Sequence, residues 1–233
     1  MSHFSVGVIT KGKPCDGEIE EILRPFCECY EEGWNEEFFE YEQSEDNPED
    51  GYYYNPNAKW DWFVIGGRWA GLIRTKSQDK QAVFGDVSWV WEDKDPYESK
   101  EPGIYKVDSC RIKDIITTNK EEYNRGLRFW ELVVEGQEPL DEEEQEIKKF
   151  VFHRPEYYLQ TYKTKENYAK ARSEFSTYAV VKDGEWLEPG EMGWFGVSFA
   201  TPEQEEKWNK EYYKLVFEDA ENDDYLTIVD CHI

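Results

Sequence analysis

The chain has 233 residues, 17% of them aromatic, and a formal net charge of −25 from 52 acidic and 27 basic side chains. That balance repels a phosphate backbone and argues against a polymeric nucleic-acid partner, whose affinity rests on Lys and Arg displacing counterions. The aromatic content argues against an unfolded polyanion, and no stretch approaches the ~20 apolar residues that span a bilayer.

In chain order, Phe4 to Ile9 reads as an opening strand closed by the turn residues Gly12 and Pro14. Glu18 to Tyr30 has helical spacing interrupted by Pro25. Residues 31–57 are acidic and aromatic with Asn-Pro breakers, and are expected to form a long surface excursion. Trp60 to Ile65 and Leu72 to Thr75 suggest a β-hairpin turning at Gly66-Gly67. Ser88 to Trp91 and Ile104 to Val107 are candidate strands, and Arg111 to Ile116 begins a regular element. Leu127 to Val134 is apolar; Asp141 to Phe152 and Tyr157 to Phe175 read as helices. Thr177 to Lys182 and Glu185 to Leu187 flank Asp183-Gly184, a type I′ hairpin signal. Thr201-Pro202-Glu203-Gln204 has the form of a helix start with a capping box, and Tyr225 to Ile233 is a closing strand. Together these predict one α+β domain over residues 1–233, with a mixed or largely antiparallel sheet, helices packed on it, and adjacent terminal strands.

The cysteines Cys15, Cys27, Cys29, Cys110 and Cys231 are odd in number and hold no C-x-x-C unit, which fits free thiols in a reducing compartment. With no signal-peptide pattern at the start, a cytoplasmic location is expected. No metal-ligand spacing and no cofactor motif occurs, so neither metal nor cofactor is expected.

Two constellations carry chemistry. The run Lys59 to Trp69 alternates in a strand so that Trp60, Trp62 and Val64 share one face, then turns at Gly66 and Gly67 beside Arg68 and Trp69. A guanidinium fork next to an indole suits a phosphate and a base; the plainer alternative is a glycine turn with Arg68 on a nearby acid and the tryptophans in the core. The second is histidine. If the terminal strands pair, His3 and His232 face one site as base and acid for phosphodiester cleavage without a metal, with Asp230 on the same strand face. His3-Phe4-Ser5 has the His-x-Ser form of two-histidine phosphoesterases, but no second copy follows, and two ordinary strand-end histidines are the alternative. Arg111 and Lys113 form a local cationic exception that suits the lining of an anionic pocket or a salt-bridged strand.

The start Met1-Ser2-His3-Phe4, the block Trp60-Asp61-Trp62 running into Ile65-Gly66-Gly67-Arg68-Trp69, the segment Gly193-Trp194-Phe195-Gly196 and the ending Val229-Asp230-Cys231-His232-Ile233 resemble an uncharacterised group of phage- and prophage-encoded proteins. The resemblance implies a phage accessory protein in the cytoplasm of the infected or lysogenic host, with counter-defence as its role. A small anionic, nucleotide-type signalling ligand, sequestered or hydrolysed, is then the expected partner. The alternative is an acidic inhibitor that imitates a polyanion and occupies a basic host protein, and self-association is also open.

Overall fold

The computed structural model describes residues 2–15, 17–44, 50–77, 85, 95–99, 101–151, 153–193 and 198–233. In chain order these form β1 (His3–Thr10), α1 (Glu18–Leu23), β2 (Glu40–Gln43), β3 (Gly51–Tyr54), β4 (Trp62–Ile65), β5 (Ile73–Thr75), β6 (Tyr105–Val107) and β7 (Ser109–Arg111). Then follow α2 (Lys120–Val133), α3 (Glu142–Lys149), α4 (Pro155–Tyr162), α5 (Lys165–Ser173), β8 (Ala179–Lys182), β9 (Glu185–Leu187), α6 (Pro202–Tyr213) and β10 (Tyr225–His232). The chain divides into two compact units, Met1–Ile115 with Thr177–Ile233, and Ile116–Ser176.

The first unit is organised on β1, whose β-branched run suits a strand buried on both faces. It pairs antiparallel with β10 from His3↔His232 to Thr10↔Tyr225, and parallel with β8 at Val6↔Ala179. The other edge of β10 is shared end to end: β7 takes its start at Tyr225↔Arg111 and β4 its end at His232↔Trp62. The sheet is therefore mixed, in the order β4-β10-β1-β8-β9, with β7 also on β10. The α+β class and the adjacency of the terminal strands are as the sequence predicts.

Side chains alternate across these strands. Phe4, Val6, Val8, Val229, Cys231, Ala179 and Val181 face Ile19 and Leu23 of α1, with Phe26 and Trp60, and form the main core. Each fully buried aliphatic side chain there contributes about 1.5–3 kcal/mol. The opposite face receives His3 and Ser5 from β1, and Asp230 and His232 from β10. Pro25 lacks the N–H that α1 would need to continue, so the helical spacing past Leu23 becomes a single 3₁₀ turn, Arg24–Phe26.

The expected hairpin between residues 60 and 75 is not formed: β4 pairs with β10, and β5 pairs with β6. Gly66 (φ 76°) and Gly67 (φ 55°) lead into the 3₁₀ turn Gly67–Trp69, which takes the chain away from β4 instead of back along it. Residues 157–175 are likewise two helices, broken at Lys163 (φ 66°), with Thr164 capping α5 through the Asn167 amide. The excursion at 31–57 contains the exposed pair β2–β3, though Asn35 and Asn55 are buried within it. Ser88 to Trp91 lies outside the described residues. Asp183 (φ 52°) and Gly184 (φ 80°) do turn β8 into β9.

In the second unit α2 and α5 cross closely at Gly126, where a Cβ would lie 2.8 Å from the Ala169 Cα. Trp130, Tyr158 and Tyr168 form its small aromatic core with Phe129 beside them.

Candidate functional site

The antiparallel register that pairs His3 with His232 puts the two imidazoles side by side, ring centroids 5.0 Å apart and edge to face. Each ring nitrogen Nδ1 meets a carboxylate. His3 Nδ1 lies 2.8 Å from Asp230 Oδ1, across one strand step, and His232 Nδ1 lies 2.6 Å from Asp61 Oδ1. The His3 and Asp230 side chains are 5% and 0% exposed, those of His232 and Asp61 7% and 26%, so Asp61 is the member that reaches solvent. A carboxylate on Nδ1 fixes the tautomer and leaves Nε2 for chemistry. His232 Nε2 is buried and, among the described residues, has no hydrogen-bond partner. A buried polar atom without a partner is costly, so a role for this nitrogen is worth seeking.

Trp62 completes the ring cluster, stacked on His232 at 5.2 Å and edge-on to His3 at 5.2 Å. The double-glycine turn holds the other oxygen of the Asp230 carboxylate: the Arg68 amide donates to Asp230 Oδ2 at 2.9 Å, and the Gly66 amide donates to the Ile228 carbonyl. Gly67 lies so close that a Cβ would sit 2.5 Å from the Asp230 side chain and 2.7 Å from Val64. On the other side, a Cβ on Gly66 would fall 2.4 Å from Asp108 Oδ2. Asp108 is wholly buried, accepts from the Gly71 amide at 2.7 Å and the Tyr97 hydroxyl at 2.5 Å, and burial raises its pKa. Two buried carboxylates thus clasp the turn.

Near the solvent side stands Glu28, whose pKa is raised by burial and then by the Asp61 charge, with the nearby His232 acting in the opposite sense. Ser5, one step along β1 from His3 on the same face, accepts the Tyr178 amide at 3.2 Å. Cys231 points into the core, and burial holds its thiol well above the usual range.

Of the residues singled out in the sequence, His3, His232, Trp62, Gly66, Gly67 and Asp230 come together, with the Arg68 backbone among them. The Arg68 side chain is exposed and Trp69 half-buried in the 3₁₀ turn beyond. Trp60 does not share the face of Trp62, and this corrects the strand alternation read from the sequence. The chain bends at Asp61, β4 starts only at Trp62, and Trp60 turns into the core, where its Nε1 donates to the Leu23 carbonyl at 3.1 Å. Arg111 and Lys113 lie elsewhere: Arg111 pairs with Tyr225 at the far end of β10, seven residues from His232 and roughly 23 Å along a strand. Its Nε donates to Asp114 at 3.1 Å, and Lys113 is exposed in the 3₁₀ turn that follows. A hollow of about 290 Å³ beside Phe63, Ile65 and Cys15 opens on the core side of β4, not on the histidine side.

Asp61 and Glu28 are the site groups that the sequence pattern missed. Asp61 was visible as a lone carboxylate inside an aromatic run, where an unpaired charge is costly. Glu28 carried no local signal, because its proximity depends on its amide bonding to the Trp60 carbonyl at 2.8 Å. Among the described residues no group of His, Cys, Asp and Glu is placed to hold a metal ion, and no helix is long and apolar enough to cross a membrane. No family model, curated protein or solved structure matches the chain.

Proposed function

We propose that this is a phage-derived accessory protein that takes a small nucleotide-type ligand at the two-histidine site and acts on it by metal-free phosphodiester cleavage. The observation that carries the reading is the paired arrangement of the imidazoles, each with a carboxylate on Nδ1, and with His232 Nε2 unpartnered among the described residues. In such a pair, one neutral imidazole accepts the proton of the attacking hydroxyl or water as the new P–O bond forms. The other, as imidazolium, gives its proton to the oxygen that leaves. Asp61 and Asp230 keep the Nδ1 protons in place and offset the positive charge that builds on the rings. Trp62, stacked on His232 and edge-on to His3, holds the two rings in their mutual orientation. The acidic exterior does not of itself forbid an anionic ligand, because the imidazolium that gives its proton to the leaving oxygen also meets the phosphate directly.

The test is thermal shift against cyclic dinucleotides and cyclic ADP-ribose isomers, followed by chromatography of the incubated nucleotides. A ligand that binds the folded state raises the melting temperature by mass action. One member of the panel is expected to do so and to be converted. His3→Ala and His232→Ala are each expected to lower conversion by about 10²–10⁴-fold. A panel that leaves both the melting temperature and the nucleotides unchanged removes the reading. Binding that survives while no nucleotide is converted would reduce it to capture.

A further inference from the structure

The excursion between α1 and β4 presents a second surface that the histidine site does not use. Between Arg24 and Lys59 the sequence contains no basic side chain, although acids recur throughout. In the fold, β2 and β3 pair as a ribbon that is two-stranded among the described residues, with Tyr41 opposite Tyr53 and Glu42 opposite Tyr52. Tyr41, Tyr52 and Tyr53 are 55%, 56% and 52% exposed, unusual for rings of this size gathered in one place. On one face Tyr30 stacks flat on Tyr53 at 4.5 Å, and Tyr41 meets Tyr53 edge-on at 5.1 Å. On the other face the Tyr52 and Tyr54 hydroxyls donate to Glu42 and Glu40 at 2.7 and 2.9 Å. Carboxylates also border the stacked face, where burial first and then Tyr53, Glu36 and Glu32 hold the Tyr30 hydroxyl above its usual pKa.

An array of exposed ring faces edged by carboxylates complements one kind of side chain above others. A guanidinium is planar, weakly hydrated and able to lie flat on an aromatic ring while its N–H groups meet carboxylates; an ammonium does the second far better than the first. The same segment already holds one such contact internally. The Arg24 guanidinium sits 5.9 Å over the Phe38 ring, with Glu21 at 2.9 Å and Glu37 at 3.9 Å. We propose that the β2–β3 ribbon, with Tyr30, Tyr41 and Tyr53 at its centre, docks an arginine-rich segment of a partner protein.

The test uses the full chain and fluorescence anisotropy with labelled nona-arginine and nona-lysine peptides at matched ionic strength. The arginine peptide is expected to bind about 5-fold more tightly than the lysine peptide, from ring contacts that lysine makes poorly. The double variant Tyr41→Ser/Tyr53→Ser should abolish that preference, whereas Tyr41→Phe/Tyr53→Phe, which keeps the rings, should retain it and so separates lost recognition from lost folding. Glu32→Gln/Glu36→Gln should weaken both peptides, and Glu142→Gln/Glu143→Gln on α3 should weaken neither by more than about 2-fold. Equal affinity for the two peptides, or a preference that survives removal of the tyrosine rings, overturns the proposal and leaves only the diffuse attraction of an acidic protein.

Discussion

At the scale of single residues, the site depends on contacts that allow little substitution. Gly67 combines a positive φ of 55° with a Cα packed against Asp230, so Gly67→Ala carries both backbone strain and a steric clash. Urea unfolding should show a loss of about 3 kcal/mol. Gly33 has a comparable φ of 77° with open space where its Cβ would go, and Gly33→Ala should lose only about 1 kcal/mol. Equal losses would show that packing on Asp230 contributes nothing. Asp108 gives a pH signature. Burial raises its pKa above 3.8, so the folded protein holds that proton more tightly than the unfolded chain. Its contribution to stability is complete below the unfolded value and declines as pH rises through the folded one. Asp108→Asn should flatten this decline in unfolding curves taken upward from acid pH; an unchanged slope would place the proton elsewhere. Residue identities showed the histidines and Asp230 clearly, because two imidazoles at opposite chain ends need only one strand pairing to meet. The role of Asp61 was hidden, because a bend of one residue reverses which face its neighbours take.

At the scale of elements, legibility followed the range of the interactions. Thr201 accepts the Gln204 amide and Gln204 accepts the Thr201 amide, a capping box spelled out in four consecutive residues. The Asp183-Gly184 hairpin was equally local. The partners of β4 and β5 were not, since β4 finds β10 far along the chain and β5 finds β6 only after residues 78–84 and 86–94, which lie outside the described set. Within the second unit, α2 and α3 are joined by charge: Arg128 reaches both oxygens of Glu144, each at 2.7 Å, and the Leu140 amide adds a third bond. These bonds, Arg128 first, lower the Glu144 pKa to about 2. A depressed carboxylate contributes stability above its unfolded value, near 4.5, and loses it as pH falls toward 2. Glu144→Gln should therefore remove part of the acid-induced loss of helical circular dichroism between those limits. An identical acid limb in the variant would contradict the assignment.

At the scale of the whole molecule, the two chain ends meet in the centre of the sheet, and that single topological fact creates the site. The pairing of β1 with β10 joins His3 to His232, stacks Trp62 beside them through β4, and brings the Gly66-Gly67 turn onto Asp230. The acidic composition is a separate property, concentrated in part on the β2–β3 ribbon and of no help in finding the histidines. Arg111 and Lys113, attractive in sequence as cations, were separated from the site by the length of β10. Only the three-dimensional register could show this.

The most direct measurement is nuclear magnetic resonance of the protein labelled with ¹³C at histidine Cε1, titrated with the cyclic nucleotide panel. The chain has 3 histidines, so the spectrum is simple and His153, in the second unit, is an internal reference. His3 and His232 are expected to shift together and saturate at the same ligand concentration while His153 stays in place. A saturating ligand that leaves His3 and His232 unmoved, or moves His153 alone, would contradict a nucleotide site built on the paired imidazoles.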